Sequence, residues 1–209
     1  MATTTTTTTT TTASRPAIST RSLLACAVAA APLWASVSLI QAATRDGFDL
    51  TQLPLSMLSV GSLGWVQIVN FLVGGLLTVL GAAGLRRVLP GRWAARLLAV
   101  SGAAMIGAGV FTMDPADPFG GASLGHMAAG TIGFATLVAA CYVLGRQFGR
   151  AGDRRRAIAS HIAGTALLAG DLWAMSGGTA GSLTLAIGWI TALLWISFVA
   201  ARYRSRQAG

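Results

Sequence analysis

The chain has 209 residues, of which 54% are hydrophobic and 10% charged, and its formal net charge is +9. A mean hydropathy of +0.66 excludes a water-soluble domain with an ordinary surface and fits a chain whose outer face is lipid. The positive charge sits in short stretches beside apolar runs, so no soluble basic domain remains to bind nucleic acid, and no such partner is expected.

Residues 1–21 include ten consecutive threonines, at positions 3–12, and predict a disordered cytoplasmic tail because nothing there can bury a core. An apolar run at 22–41, interrupted by Pro32, predicts the first transmembrane helix. It is long for a signal peptide, and Ile40 and Gln41 before Ala42 make a poor cleavage site. Residues 43–62 form an outer segment in which Leu50, Leu53, Pro54, Met57 and Leu58 recur at helical spacing. That pattern fits a short helix lying on the headgroups and fits equally a loop packed over the bundle. Further spans are expected at 63–85, 94–113, 125–145, 157–175 and 182–201. Each has about twenty residues, enough to cross roughly 30 Å of hydrocarbon at about 1.5 Å per residue. Residues 203–209 read as a basic cytoplasmic tail.

With these spans drawn, fourteen of the fifteen arginines fall on one side and only Arg45 falls on the other. Short loops rich in Arg stay in the cytoplasm. The expected fold is therefore all-α: a polytopic bundle of six transmembrane helices over 22–202, with N-terminus and C-terminus both cytoplasmic. The chain has no Lys and no Glu and is rich in Ala and Gly, a bias that suits a GC-rich bacterial genome and hence a multi-pass protein of the inner (cytoplasmic) membrane. Small residues recur three or four apart: Gly74, Thr78 and Gly81; Ala103 and Gly107; Ala129 and Gly133; Ser160 and Gly164; Ala166 and Gly170. This spacing lets helix backbones approach, either within one bundle or across a homo-oligomer face. Cys26 and Cys141 both fall in the inner half of spans, where a disulfide is not expected.

The chain carries Leu-Ser-Val-Gly-Ser-Leu-Gly-Trp-Val-Gln-Ile-Val-Asn-Phe at 58–71 with Gly-Leu-Arg-Arg at 84–87, Gly-Ala-Gly-Val-Phe-Thr-Met-Asp-Pro at 107–115, and Gly-His-Met-Ala-Ala-Gly at 125–130. In this order the segments resemble a bacterial membrane-protein family known as "domain of unknown function 998". The resemblance covers roughly 22–202 and implies a six-helix membrane unit. It brings no activity and no catalytic residue.

Helix direction lets depth be read from position. Gln67 and Asn70 lie one to two turns below the outer end of the second span, and Asp114 caps the third, with Asp117 in the loop beyond. His126 begins the fourth span, and Asp171 lies about one turn below the outer end of the fifth. An ionisable group in a membrane needs a polar partner, so these six define a candidate polar pocket open to the outside, with Asp114, His126 and Asp171 at its centre. The competing reading makes Asp114, Asp117 and His126 solvated helix-end residues. His126 and His161 lie at opposite faces of the membrane, which excludes a bis-histidine haem, and no phosphate loop or serine-nucleophile motif is present in the sequence. No cofactor and no resident metal are expected, and membrane lipids are the expected partners. A structural, lipid-interacting or accessory role leads. A small transporter or a module binding a solute or lipid headgroup is the alternative. A membrane enzyme acting on a lipid through Asp114, His126 and Asp171 comes third.

Overall fold

The computed structural model describes residues 18–207. The expected disordered tail falls outside them except for 18–21, and so do the last two residues of the basic tail. The described chain is all-helical, with α1 (Thr20–Thr44), α2 (Gly64–Val88), α3 (Arg92–Val110), α4 (Gly121–Arg150), α5 (Arg154–Met175) and α6 (Gly181–Ser205). Five of these six are long and apolar enough to cross a membrane. The other, α5, starts on three arginines and carries His161 and Asp171.

Most helices overrun the apolar runs, chiefly where arginines flank them. α4 continues through Arg146 to Arg150, and α6 through Arg202 and Arg204 to Ser205. Hydropathy marks what suits lipid, whereas the backbone ladder continues through any good helix former, and Arg is one. α3 does the opposite and stops at Val110, because Phe111 turns to extended backbone with φ −96° and ψ 100°. At the α4–α5 turn, the Asp153 carboxylate accepts from the Arg156 amide at 3.1 Å and pairs with its guanidinium at 3.0 Å.

Each helix packs on its neighbours in the chain, and α6 returns to α1, so the bundle closes on itself. α4 and α6 also touch, and α5 packs on that pair. Close approach depends on small residues. A Cβ on Gly81 would run into Ala27 of α1, and one on Gly188 would lie 2.7 Å from the Ala166 carbonyl oxygen of α5. These small-residue positions serve contacts inside this bundle, where van der Waals packing holds helices together. Serines add hydrogen bonds across helices: Ser197 Oγ donates to the Ala27 carbonyl at 2.7 Å, and Ser101 Oγ to the Gly133 carbonyl at 3.1 Å. Cys26 and Cys141 are unpaired.

The α1–α2 connection is a strap folded over one end of the bundle. Its centre is a short 3-10 helix, Leu55–Ser59, with Leu55 and Leu58 buried in the core. Of the two readings of this segment, the chain adopts the packed one. Burying each leucine stabilises it by about 2 kcal/mol. The Arg45 guanidinium donates to the Leu58 carbonyl at 2.7 Å and also to that of Val60, which ties the strap to the end of α1. Ser182 Oγ, at the start of α6, donates to the Gln52 carbonyl at 3.0 Å. Within the strap the side-chain hydroxyl and then the backbone amide of Thr51 donate to Asp49, which holds its carboxyl below the usual range.

Candidate functional site

The face of α2 that carries Gln67, Asn70, Phe71 and Gly74 meets the face of α1 that carries Trp34, Ser38 and Gln41; both sets follow the three-to-four-residue spacing of one helix side. Gln67 is fully buried and Asn70 nearly so. Gln67 Oε1 accepts from Gln41 Nε2 at 2.9 Å and from Ser38 Oγ at 3.2 Å. Asn70 Nδ2 donates to the Trp34 carbonyl and to Ser38 Oγ, both at 3.0 Å. These neutral side chains satisfy most of one another's polar atoms where water is excluded. Asn70 Oδ1, Gln41 Oε1 and Trp34 Nε1 remain buried without a hydrogen-bond partner.

Next to this network, under the strap, lies a cavity of about 110 Å³. Its walls are mainly aromatic and small. Trp34, Phe71, Phe134 and Trp189 surround it, Ala129 and Gly130 of α4 line one side, and Leu55 and Ser56 of the strap roof it. The aromatic rings support one another, with Phe134 and Trp189 centroids 4.6 Å apart and Trp34 and Trp189 6.2 Å apart at a steep angle. Among the described residues, His126 is the one ionisable residue in the lining.

His126 is held from one side. Its Nδ1 lies 2.9 Å from the Ala108 carbonyl oxygen and 2.7 Å from that of Phe111. Both partners can only accept, so Nδ1 carries the proton, and in the neutral ring Nε2 is the free acceptor. This contact also satisfies two carbonyls at the end of α3 that the helix itself leaves open. Nε2 makes no hydrogen bond among the described residues.

The six residues singled out by depth thus occupy three places. Gln67 and Asn70 belong to the α1–α2 network, and His126 lines the cavity next to it. Asp114 and Asp117 are exposed in the α3–α4 turn. There Asp114 Oδ1 accepts from the Ala116 amide at 2.9 Å, while Ser123 Oγ donates to the Asp117 carbonyl at 2.9 Å. Asp171 is half-buried on α5, a helix that contributes nothing to the cavity lining, and it makes no hydrogen bond or ion pair among the described residues. Equal depth did not bring Asp114 and Asp171 into the cavity with His126. Nor do three His, Cys, Asp or Glu side chains gather as a metal-ligand set among the described residues.

Sequence reasoning missed Ser38 and Gln41, the partners of Gln67 and Asn70, and it missed the aromatic wall. A signal existed for the first pair. Trp34, Ser38 and Gln41 share one side of α1 at the same depth as Gln67 and Asn70. The aromatic residues come from four different helices, and no spacing within one helix reveals such a set.

The model of the family described as "protein of unknown function (DUF998)" matches residues 28–202, the greater part of the chain. No curated protein and no solved structure matches.

Proposed function

We propose that this chain, which belongs to the DUF998 family of proteins of unknown function, is a multi-pass protein of the bacterial inner membrane that binds a lipid or other amphiphile without transforming it. The observation that carries the reading is the aromatic-walled cavity under the strap, with His126 its single ionisable group among the described residues. Aromatic and small apolar walls suit an alkyl or prenyl chain end. A hydroxyl or amine on the same molecule would donate to His126 Nε2. A cavity of about 110 Å³ takes a chain terminus or a small ring, and the rest of such a ligand would extend into the surrounding lipid.

In this reading α5 also crosses the membrane. It joins the arginine-bearing end of α4 to the far end of α6, and its 22 residues reach about 33 Å at 1.5 Å each. Apart from Arg45, every described arginine lies at the opposite end from the strap, which supports cytoplasmic termini and an outward-facing cavity. Catalysis through Asp114, His126 and Asp171 has weaker support, because the Asp114 carboxylate is engaged in its own turn and Asp171 is absent from the lining.

The test uses native mass spectrometry of gently extracted protein. A Cβ on Gly130 meets nothing within 4 Å, so Gly130→Phe should plug the cavity while the bundle still folds. Wild type should retain a co-purifying amphiphile that Gly130→Phe loses and His126→Ala holds about tenfold less tightly, the worth of one hydrogen bond left unmade. No bound amphiphile, or one indifferent to Gly130→Phe, would sink the proposal. Labelling of Asp114→Cys from the outside checks the orientation, and labelling only from the cytoplasm would reverse it.

A further inference from the structure

The opposite end of the bundle carries a second feature that the cavity does not explain. Between the start of α3 and the last turns of α4 runs an open groove of about 590 Å³, lined among others by Gly91, Trp93, Val143, Arg146, Gln147 and Arg150. Arg146 and Arg150 are one helical turn apart on α4 and exposed, so both guanidinium groups serve the same stretch of the groove. Four other arginines at this end have partners, while the rest, Arg154 and Arg155 outside the groove among them, have none among the described residues. Arg87 donates to the Ile18 carbonyl, Arg156 pairs with Asp153, and Arg96 and Arg206 lie over the rings of Trp93 and Tyr203. Arg146 and Arg150 have no hydrogen bond, ion pair or ring partner among the described residues.

The remaining walls fit the same occupant. Gly91, the N-cap of α3, supplies no side-chain acceptor for the first-turn amides, which leaves positive dipole and free N–H groups beside the arginines. Trp93 is 60% exposed, as an aromatic ring at the headgroup level of a membrane would be. Val143 adds an apolar wall. At this end one described carboxylate, Asp153, stands against all the described arginines except Arg45, and it is already paired with Arg156.

We propose that this groove is a binding site for an anionic glycerophospholipid. Arg146 and Arg150 hold the phosphate, Trp93 packs at the level of the ester linkages, and an acyl chain lies along the apolar side of α4. Arginine suits this task because its planar fork matches phosphate oxygens in pairs. A lipid is favoured over a soluble anion because the charged pair stands at the end of apolar, lipid-facing helix surface rather than in a closed pocket. The site rests on the helices spanning a membrane and is independent of the cavity under the strap.

The experiment places the full chain in nanodiscs of phosphatidylcholine and titrates phosphatidylglycerol, reading retained lipid by native mass spectrometry. Wild type should keep one phosphatidylglycerol selectively. R146Q/R150Q should weaken it by about twenty-five-fold, at about fivefold for each arginine near a membrane surface, and R150Q alone by about fivefold. R154Q/R155Q removes the same charge from the same end outside the groove and should change retention by less than about threefold, the size of a screened long-range contribution. Unchanged melting curves establish that the variants fold. Three outcomes would each overturn the proposal: equal losses in the two double variants, no preference for phosphatidylglycerol over phosphatidylcholine, or displacement by millimolar inorganic phosphate.

Discussion

At the strap end of the bundle the polar groups are buried side chains satisfied mostly by one another or by backbone; at the arginine end they are charged, exposed and largely unpaired. Gln67 and Asn70 reach from α2 to Ser38 and Gln41 on α1, and His126 closes the last carbonyls of α3. Arg45, the exception in charge, is absorbed by two strap carbonyls. At the far end Arg146 and Arg150 stand beside an open groove. The difference follows from cost. A neutral amide can be buried if its hydrogen bonds are made within the bundle, whereas a guanidinium away from the interface costs about 2.5–3.5 kcal/mol. Polar groups at one end therefore build internal structure, and those at the other remain available to partners.

The contrast can be broken most sharply at Gln67. Gln67→Ala removes the acceptor used by Gln41 and Ser38 and leaves a void in a fully buried site, so it should destabilise the bundle by about 2–3 kcal/mol. Arg154→Gln at the other end should stay within about 0.5 kcal/mol. Reversible unfolding in mixed micelles measures both, and equal effects would erase the distinction. A smaller effect is expected at Arg45. Arg45→Ala releases the strap from its carbonyl anchors at a local cost of about 1–2 kcal/mol. Deuterium exchange should rise across 46–63 while the helices stay protected, and uniform protection would show that Leu55 and Leu58 hold the strap unaided. The smallest change is Asp114→Asn, expected within about 0.5 kcal/mol, since the exposed side chain keeps an oxygen to accept from the Ala116 amide. A large loss of stability there would mean that the charge itself, rather than the turn, is being used.

The candidate site was legible in part. Gln67 and Asn70 stood out because amides in an apolar run demand partners, and they have them. Ser38 and Gln41 did not, because serine and glutamine near a helix end read as ordinary interfacial residues. His126 was recognised, yet its grouping with Asp114 and Asp171 rested on depth alone. Depth is one coordinate of three. Phe111 leaves the helix early and carries Asp114 into an exposed turn, and Asp171 rides on a helix outside the cavity wall.

By itself the amino-acid sequence determined that the chain is helical, roughly where each helix lies, and that its described arginines other than Arg45 gather at one end. These properties follow from local hydropathy and charge, which act residue by residue along the chain. Tertiary structure alone decided that α6 closes on α1, that the strap packs into the core, and that Trp34, Phe71, Phe134 and Trp189 enclose a cavity beside His126. A helix that is apolar on nearly every side has no polar face to set its rotation. Its rotation and its neighbours are chosen instead by contacts such as Gly81 against Ala27 and Gly188 against Ala166, which exist only once the helices have met.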